Sequence, residues 1–303
     1  MSATQPGKYA HLVKELPLQK NIGSFEQGAV MDGAFFGLDK FSVRYGMVGA
    51  PGMIEEETPC EHTHDYDQLL WFFGSDPTDA TKLDAEVEIT MGEERIRHRF
   101  NTPTVIAIPK GMPHFSPIVT SLSDKIYVVA ASGAPAFKAE VTDPDARPDC
   151  GKWGEFYNNP YKKYVVNLRF YRKDAYHYGS ARAVDSGGML TYFNGNDLGI
   201  NMIMSCETVS LPHQLGPRTA DMGYHSHSHV NKDEMLIFLS SDKEDLSDLH
   251  GSADFCFGPD RALEHYTVTK ATCMVTPAKI FHLPLRFERV DRPMYFMTID
   301  TEF

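Results

Sequence analysis

The chain has 303 residues and a mass of 34.1 kDa, enough for about two domains. Its 42% hydrophobic and 23% charged residues, with no apolar run near the ~20 residues of a membrane helix, exclude disordered, collagenous and membrane-spanning classes. Lysine plus arginine is 29 against 41 for aspartate plus glutamate, a formal charge of -12. A nucleic-acid backbone would meet repulsion, so no nucleic acid and no membrane is expected as a partner.

In chain order, Met1 to Leu18 lacks the continuous apolar core of a secretory signal. Residues 1–35 are expected as an N-terminal arm with a helical pattern over Ala10 to Leu16. Alternating or β-rich stretches follow at Phe41–Tyr45, Glu86–Thr90, Thr104–Ile108 and Ile126–Ala130, separated by turn-rich segments. Residues 134–164, rich in proline, glycine and tyrosine, are expected as a linker with some helical pattern. That leaves 36–133 and 165–303 as two domains.

The two domains repeat one another. His62-Thr-His64, then Gln68 opening the apolar run Leu69 to Phe73, then Pro109-Lys-Gly111-Met-Pro-His114, are matched by His227-Ser-His229, Glu234 opening Met235 to Leu239, and Pro277-Ala-Lys279-Ile-Phe-His282. From the second histidine to the last is 114 minus 64, or 50 residues, in one copy and 282 minus 229, or 53, in the other. Type, order and spacing recur together, which points to duplication. Five cysteines without a CxxC pair read as reduced thiols, and the cytoplasm is the expected location.

Two histidines one residue apart on a strand face the same way, so each HxH pair can share an ion. A distant histidine and Gln68 or Glu234 would complete each set. Imidazoles with one carboxylate suit a divalent transition metal, among Fe, Mn, Ni, Co, Cu and Zn, with positions left open for substrate. His225 extends the second pair to HSHSH and is a candidate acid or base beside Glu234. Trp71, Phe72, Phe73, Phe238 and Met202, Met204, Met235 are expected in the core. Arg95 and Arg261 suggest a turn or interface function.

These motifs resemble the cupin superfamily, whose HxH, following glutamate and PxGxxH motifs match about Phe36 to Ala130 and Phe193 to Ile299. The resemblance implies a bicupin: a mostly β chain of two antiparallel barrels in tandem, each with one metal pocket. Carried over, the second-copy ligands are His227, His229, Glu234 and His282, and the first-copy ligands are His62, His64 and His114, with Gln68 in place of glutamate. Lys279 stands where Gly111 keeps the motif glycine, and would either alter the turn or bring charge to the cavity rim. Neutral Gln68 leaves the first ion a charge of +2 against +1 in the second. Site one should therefore hold an anion more strongly or metal more weakly.

The expected function is a metal-dependent enzyme, dioxygenase-like, acting on a small oxygenated molecule that chelates the metal. The alternatives are a non-redox isomerase, decarboxylase or lyase and a non-catalytic ligand-binding bicupin. Strand edges allow a homodimer.

Overall fold

The computed structural model describes residues 7–54, 58–155, 158–172, 188–219 and 223–302. They fall into two compact units, one from Pro17–Arg169 with Phe193–Met202, the other from the described parts of Met1–Leu16, Phe170–Tyr192 and Ile203–Phe303. Each is a pair of β-sheets enclosing its own apolar core, as the tandem-barrel expectation requires.

In the first unit a seven-stranded sheet runs Val165–Asn167, Thr104–Ile108, Gln68–Gly74, Ile126–Ser132, Ser42–Val48, Phe25–Met31, Gln19–Ile22. A five-stranded sheet orders Lys152–Trp153, Ile96–Phe100, Ala85–Met91, Ile118–Leu122 and Gly52–Met53. The run Gln68–Gly74 is apolar at successive positions because both of its faces are covered, and every residue in it is buried. Leu70 and Phe72 pack inside with Ile106, Val128, Val87 and Ile89. Alternation turns Leu69, Trp71 and Phe73 to the other face. Ile96–Phe100 alternates as half-covered strands do, with Ile96, His98 and Phe100 buried.

The second unit repeats the central order as Thr272–Thr276, Lys232–Leu239, Met294–Glu302 and Met202–Val209. Leu236 and Phe238 point inward with Phe255, Phe257, Leu285 and Phe287. Each fully buried phenylalanine contributes roughly 1.5–3 kcal/mol of hydrophobic stabilisation. Its four-stranded sheet orders His213–Leu215, His282–Val290, Asp248–Phe257 and Glu264–Lys270.

The edges depart from the sequence boundaries. The expected arm is divided: Val13–Glu15 pairs with Thr272–Met274 in the second unit, whereas Gln19–Ile22 and Phe25–Met31 join the first. The expected helix over Ala10 to Leu16 is a single 3-10 turn, Ala10–Leu12, running into that strand. Inside the expected linker, Glu140–Asp143 pairs with Glu61–Thr63, and Lys152–Trp153 pairs parallel with Ile96–Arg97. Val165–Asn167 then covers the edge of Thr104–Ile106. Open sheet edges recruit whatever short segment can reach them, and composition carries no record of that pairing.

Two candidate metal centres

In both units backbone hydrogen bonds lock the two motifs together before any metal is considered. His62 and His114 exchange N–H to carbonyl bonds of 3.0 Å, as do His227 and His282 at 3.0 and 2.9 Å. In the proline turn, Met112 N–H donates to Pro109 O and Gly111 N–H to His64 O. Ile280 N–H donates likewise to Pro277 O, and Lys279 N–H to His229 O. Asp67 Oδ1 accepts the Lys110 N–H at 2.9 Å and Asp233 Oδ1 the Ala278 N–H at 2.8 Å. The motif description omits these two aspartates, yet the signal was present: an aspartate directly precedes both Gln68 and Glu234.

Lys279 settles into the conformation that Gly111 uses, φ +70° against +77°. Its side chain is exposed and the turn keeps the same backbone hydrogen bonds, so Lys279 adds left-handed strain that Gly111 does not carry.

The donors converge. One nitrogen from each of His62, His64 and His114, and one donor atom from each of His227, His229, Glu234 and His282, lie within 4.8 Å of one another in their respective clusters. His62, His64 and His114 are all buried. In the first cluster every Nδ1 faces a backbone carbonyl, Cys60 O at 2.9 Å, Lys138 O at 3.0 Å and Met112 O at 2.9 Å. A carbonyl only accepts, so each Nδ1 carries the proton and each Nε2 presents a lone pair. In the second cluster, among the described residues, only His282 is pinned this way, to Ile280 O at 3.1 Å. His227 Nδ1 is buried without a hydrogen-bond partner.

A cation fits these donors. His64 Nε2 is buried with no hydrogen-bond partner. His282 Nε2 and Glu234 Oε2 approach to 2.8 Å without hydrogen-bond geometry to each other or to anything else. His229 Nε2 lies 3.3 Å from the same oxygen and 3.2 Å from His227 Nε2. Leaving such groups unmatched costs about 1–3 kcal/mol each, and a shared divalent ion satisfies them together.

Burial holds His64 below its ordinary pKa, drives His114 well below it with help from His62 and His64, and pushes His227 down to about 4, His282 adding to the effect. All three are therefore neutral donors near pH 7. Burial opposes ionisation of Glu234, but His229 and His282 outweigh it and keep its carboxyl low. His282 is raised because Glu234 overcomes its burial. Asp300, opposite Glu234 in the sheet and 2.7 Å from Lys232 Nζ, is pushed up to about 6 by burial and by the Glu234 charge.

Gln68 opens its strand, and Glu234 is the third residue of the equivalent one, Lys232–Leu239. Alternation puts both on the inward face, with Leu70 and Phe72 or with Leu236 and Phe238. Gln68 is fully buried and neither amide atom has a hydrogen-bond partner. His62 and His64 line a cavity of about 40 Å³ together with Arg44, Thr58, Ser116, Phe137, Lys138 and Ala139. The Arg44 guanidinium lies 4.7 Å from the Phe137 ring centre, and the His64 ring stacks on Tyr66 at 4.7 Å. Arg44 and Lys138 were not legible, because one lies on an apolar strand and the other in the expected linker.

His225 is outside the convergent set; its backbone N–H donates to Pro217 O. Its neighbour Ser226 N–H is held by Asp260 Oδ1 at 2.6 Å, which braces the second HxH segment. Arg95 ties Glu61 to Asp143 at 2.7 and 2.6 Å, a structural clamp, while Arg261 is exposed in a 3-10 turn. All five cysteines are free thiols. The aromatics and methionines expected in the core are buried there.

No family model matches the chain, and no curated protein sequence matches it. Solved structures do. Lactobacillus farciminis oxalate decarboxylase in complex with formate aligns at 11% identity and TM-score 0.59, over 98% of this chain and 87% of that one. Bacillus subtilis oxalate decarboxylase, in a study of its Mn(II) centres, aligns at 12% identity and TM-score 0.57, over 96% and 79%. The same enzyme at pH 4.6 aligns at 13% and 0.56, over 96% and 78%. The likeness shows the fold of this chain as two cupin-like β-barrels in tandem.

Proposed function

We propose that the chain is a metal-dependent bicupin enzyme acting on a small organic acid, with decarboxylation ahead of dioxygenation as its chemistry. The observation that carries the proposal is the pair of convergent three-histidine clusters, the half-buried one completed by Glu234 and the buried one sharing a small cavity with the buried Arg44. Solved neighbours that act on oxalate support a carboxylate substrate, and they move decarboxylation above the dioxygenase expectation.

His227, His229, Glu234 and His282 would hold one divalent ion, and His62, His64 and His114, with Gln68 beside them, the other. A bound ion supplies Lewis-acid polarisation, or electron transfer if it is redox-active. The second site is proposed as the catalytic one, because Glu234 adds an anionic oxygen to the donor set. Asp300, next to it, can exchange a proton near pH 6 at its buried carboxyl. His225 remains a proposed relay, close in sequence to the ligands but outside their cluster. The first site, with three neutral imidazoles, a neutral amide and the nearby guanidinium, is proposed to hold an anion more strongly and metal more weakly. A cytoplasmic location and a homodimer complete the proposal; free thiols suit the first, and a sedimenting species heavier than 34.1 kDa would support the second.

The test is elemental analysis of anaerobically purified protein, followed by a screen of small mono- and dicarboxylic acids for carbon dioxide release and oxygen uptake. Release without oxygen uptake supports decarboxylation. Uptake matched to product supports dioxygenation, and saturable acid binding without turnover leaves a binding protein.

A further inference from the structure

A third group of donor side chains, distinct from both clusters, lies on the four-stranded sheet of the second unit. Along Asp248–Phe257 burial alternates, and Ala253, Phe255 and Phe257 pack into the barrel core. Asp254 and Cys256 therefore share the opposite face. Across the antiparallel pair Cys256 is directly opposite His265. Cys256 Sγ lies 3.4 Å from His265 Nδ1, and the same nitrogen lies 2.7 Å from Asp254 Oδ2. The thiol is buried, the aspartate side chain is 16% exposed and the imidazole 61%, so the group opens to solvent on its histidine side.

We infer that Asp254, Cys256 and His265 form a third cation site, taking a soft divalent metal of the zinc class with water in the fourth position. The donor set separates it from the other two, since a thiolate selects zinc-like ions over magnesium or calcium, whereas neither barrel cluster contains sulfur. The spacing agrees. Tetrahedral zinc with bonds of ~2.0 Å to nitrogen and oxygen and ~2.3 Å to sulfur sets S···N at about 3.5 Å and N···O at about 3.3 Å. The sulfur is already placed, and the N···O contact opens by about half an ångström as its hydrogen bond is given up.

The protons balance. Asp254 enters as a carboxylate, the His265 proton moves to the solvent-facing Nε2, and the Cys256 proton is released to water. Two negative donors then neutralise the ion. Without an ion the thiol stays protonated, because burial and the Asp254 charge push it up to about 11 while Arg286 acts the other way. Binding should therefore tighten as pH rises through the neutral range. Arg286, paired with Asp254 in the sheet, favours the thiolate once it forms.

The experiment is titration of the full-length protein with cobalt(II), followed by zinc competition. A thiolate ligand produces sulfur-to-cobalt charge-transfer absorption in the near ultraviolet, which imidazole and carboxylate ligands do not. The expected result is one equivalent of this band per chain, displaced by zinc. Cys256→Ser should abolish it and lower zinc stoichiometry by one. His265→Ala, a change at an exposed side chain, should weaken the band-forming affinity roughly tenfold or more. Double substitution His64→Ala with His229→Ala should leave the band in place. No band in the unaltered protein, or a band that survives Cys256→Ser, overturns the inference.

Discussion

The two barrels solve the same problem by different means. The first pins all three imidazoles through Nδ1 and offers no anion, while the second pins one imidazole and adds a carboxylate. An outer hydrogen bond to a metal-binding histidine typically changes affinity 10- to 100-fold. Two extra pinned rings can therefore recover part of what a missing charge forfeits. Duplicated sites with the same backbone can diverge in net charge while keeping three shared histidine donors, and the charge then governs what else they bind.

The largest expected effect follows from removing one matched ligand in each half. His229→Ala should lower turnover by more than about 100-fold, the upper range for losing even an outer partner. His64→Ala should lower it by about tenfold or less, with metal content and circular dichroism measured on both. Greater loss in His64→Ala would reverse the assignment of the catalytic half.

Exchanging the charge sharpens the same contrast. Glu234→Gln should reduce second-site metal occupancy and most turnover, by about 10- to 100-fold. Gln68→Glu should raise first-site metal affinity and weaken anion binding there, read by calorimetry with formate as the probe. If Gln68→Glu left both unchanged, Gln68 would not face the ion.

Part of the first unit's acid sensitivity should trace to a histidine outside the clusters. His98 is buried on the same strand face as Phe100 and its pKa is pushed down to about 4 by burial. The native state binds this proton more weakly than the unfolded chain, whose imidazole titrates near 6.5. The stability contribution is present above pH 6.5 and is lost as pH falls toward 4, by up to about 3 kcal/mol. His98→Phe should flatten that decline in denaturant titrations between pH 6.5 and 4. An unchanged slope would assign the decline to other groups.

The smallest effect tests the strained turn. Lys279→Gly should stabilise the second unit by about 0.5–1 kcal/mol, and Gly111→Lys should destabilise the first by about 1–2 kcal/mol. Equal and negligible shifts in thermal unfolding would show that both turns relax freely.

The sequence by itself determined the duplication and the mostly β class, and it named the seven side chains whose donor atoms converge, because residue type and spacing are local facts of the chain. Gln68 was legible as the exception, and its chemical consequence followed from having no charge. What the chain could not show was which atoms finish each site. Lys138 fixes the His64 tautomer from a segment that composition marks as a linker, and Arg44 reaches the first cavity from a strand otherwise apolar. Val13–Glu15 closes a sheet more than 250 residues away in sequence. The Asp254, Cys256 and His265 group likewise arises from strand register, since Cys256 and His265 meet only through the Asp248–Phe257 and Glu264–Lys270 pairing. Long-range pairing depends on which edges remain open after the core has formed, and that physical selection is made by the tertiary structure alone.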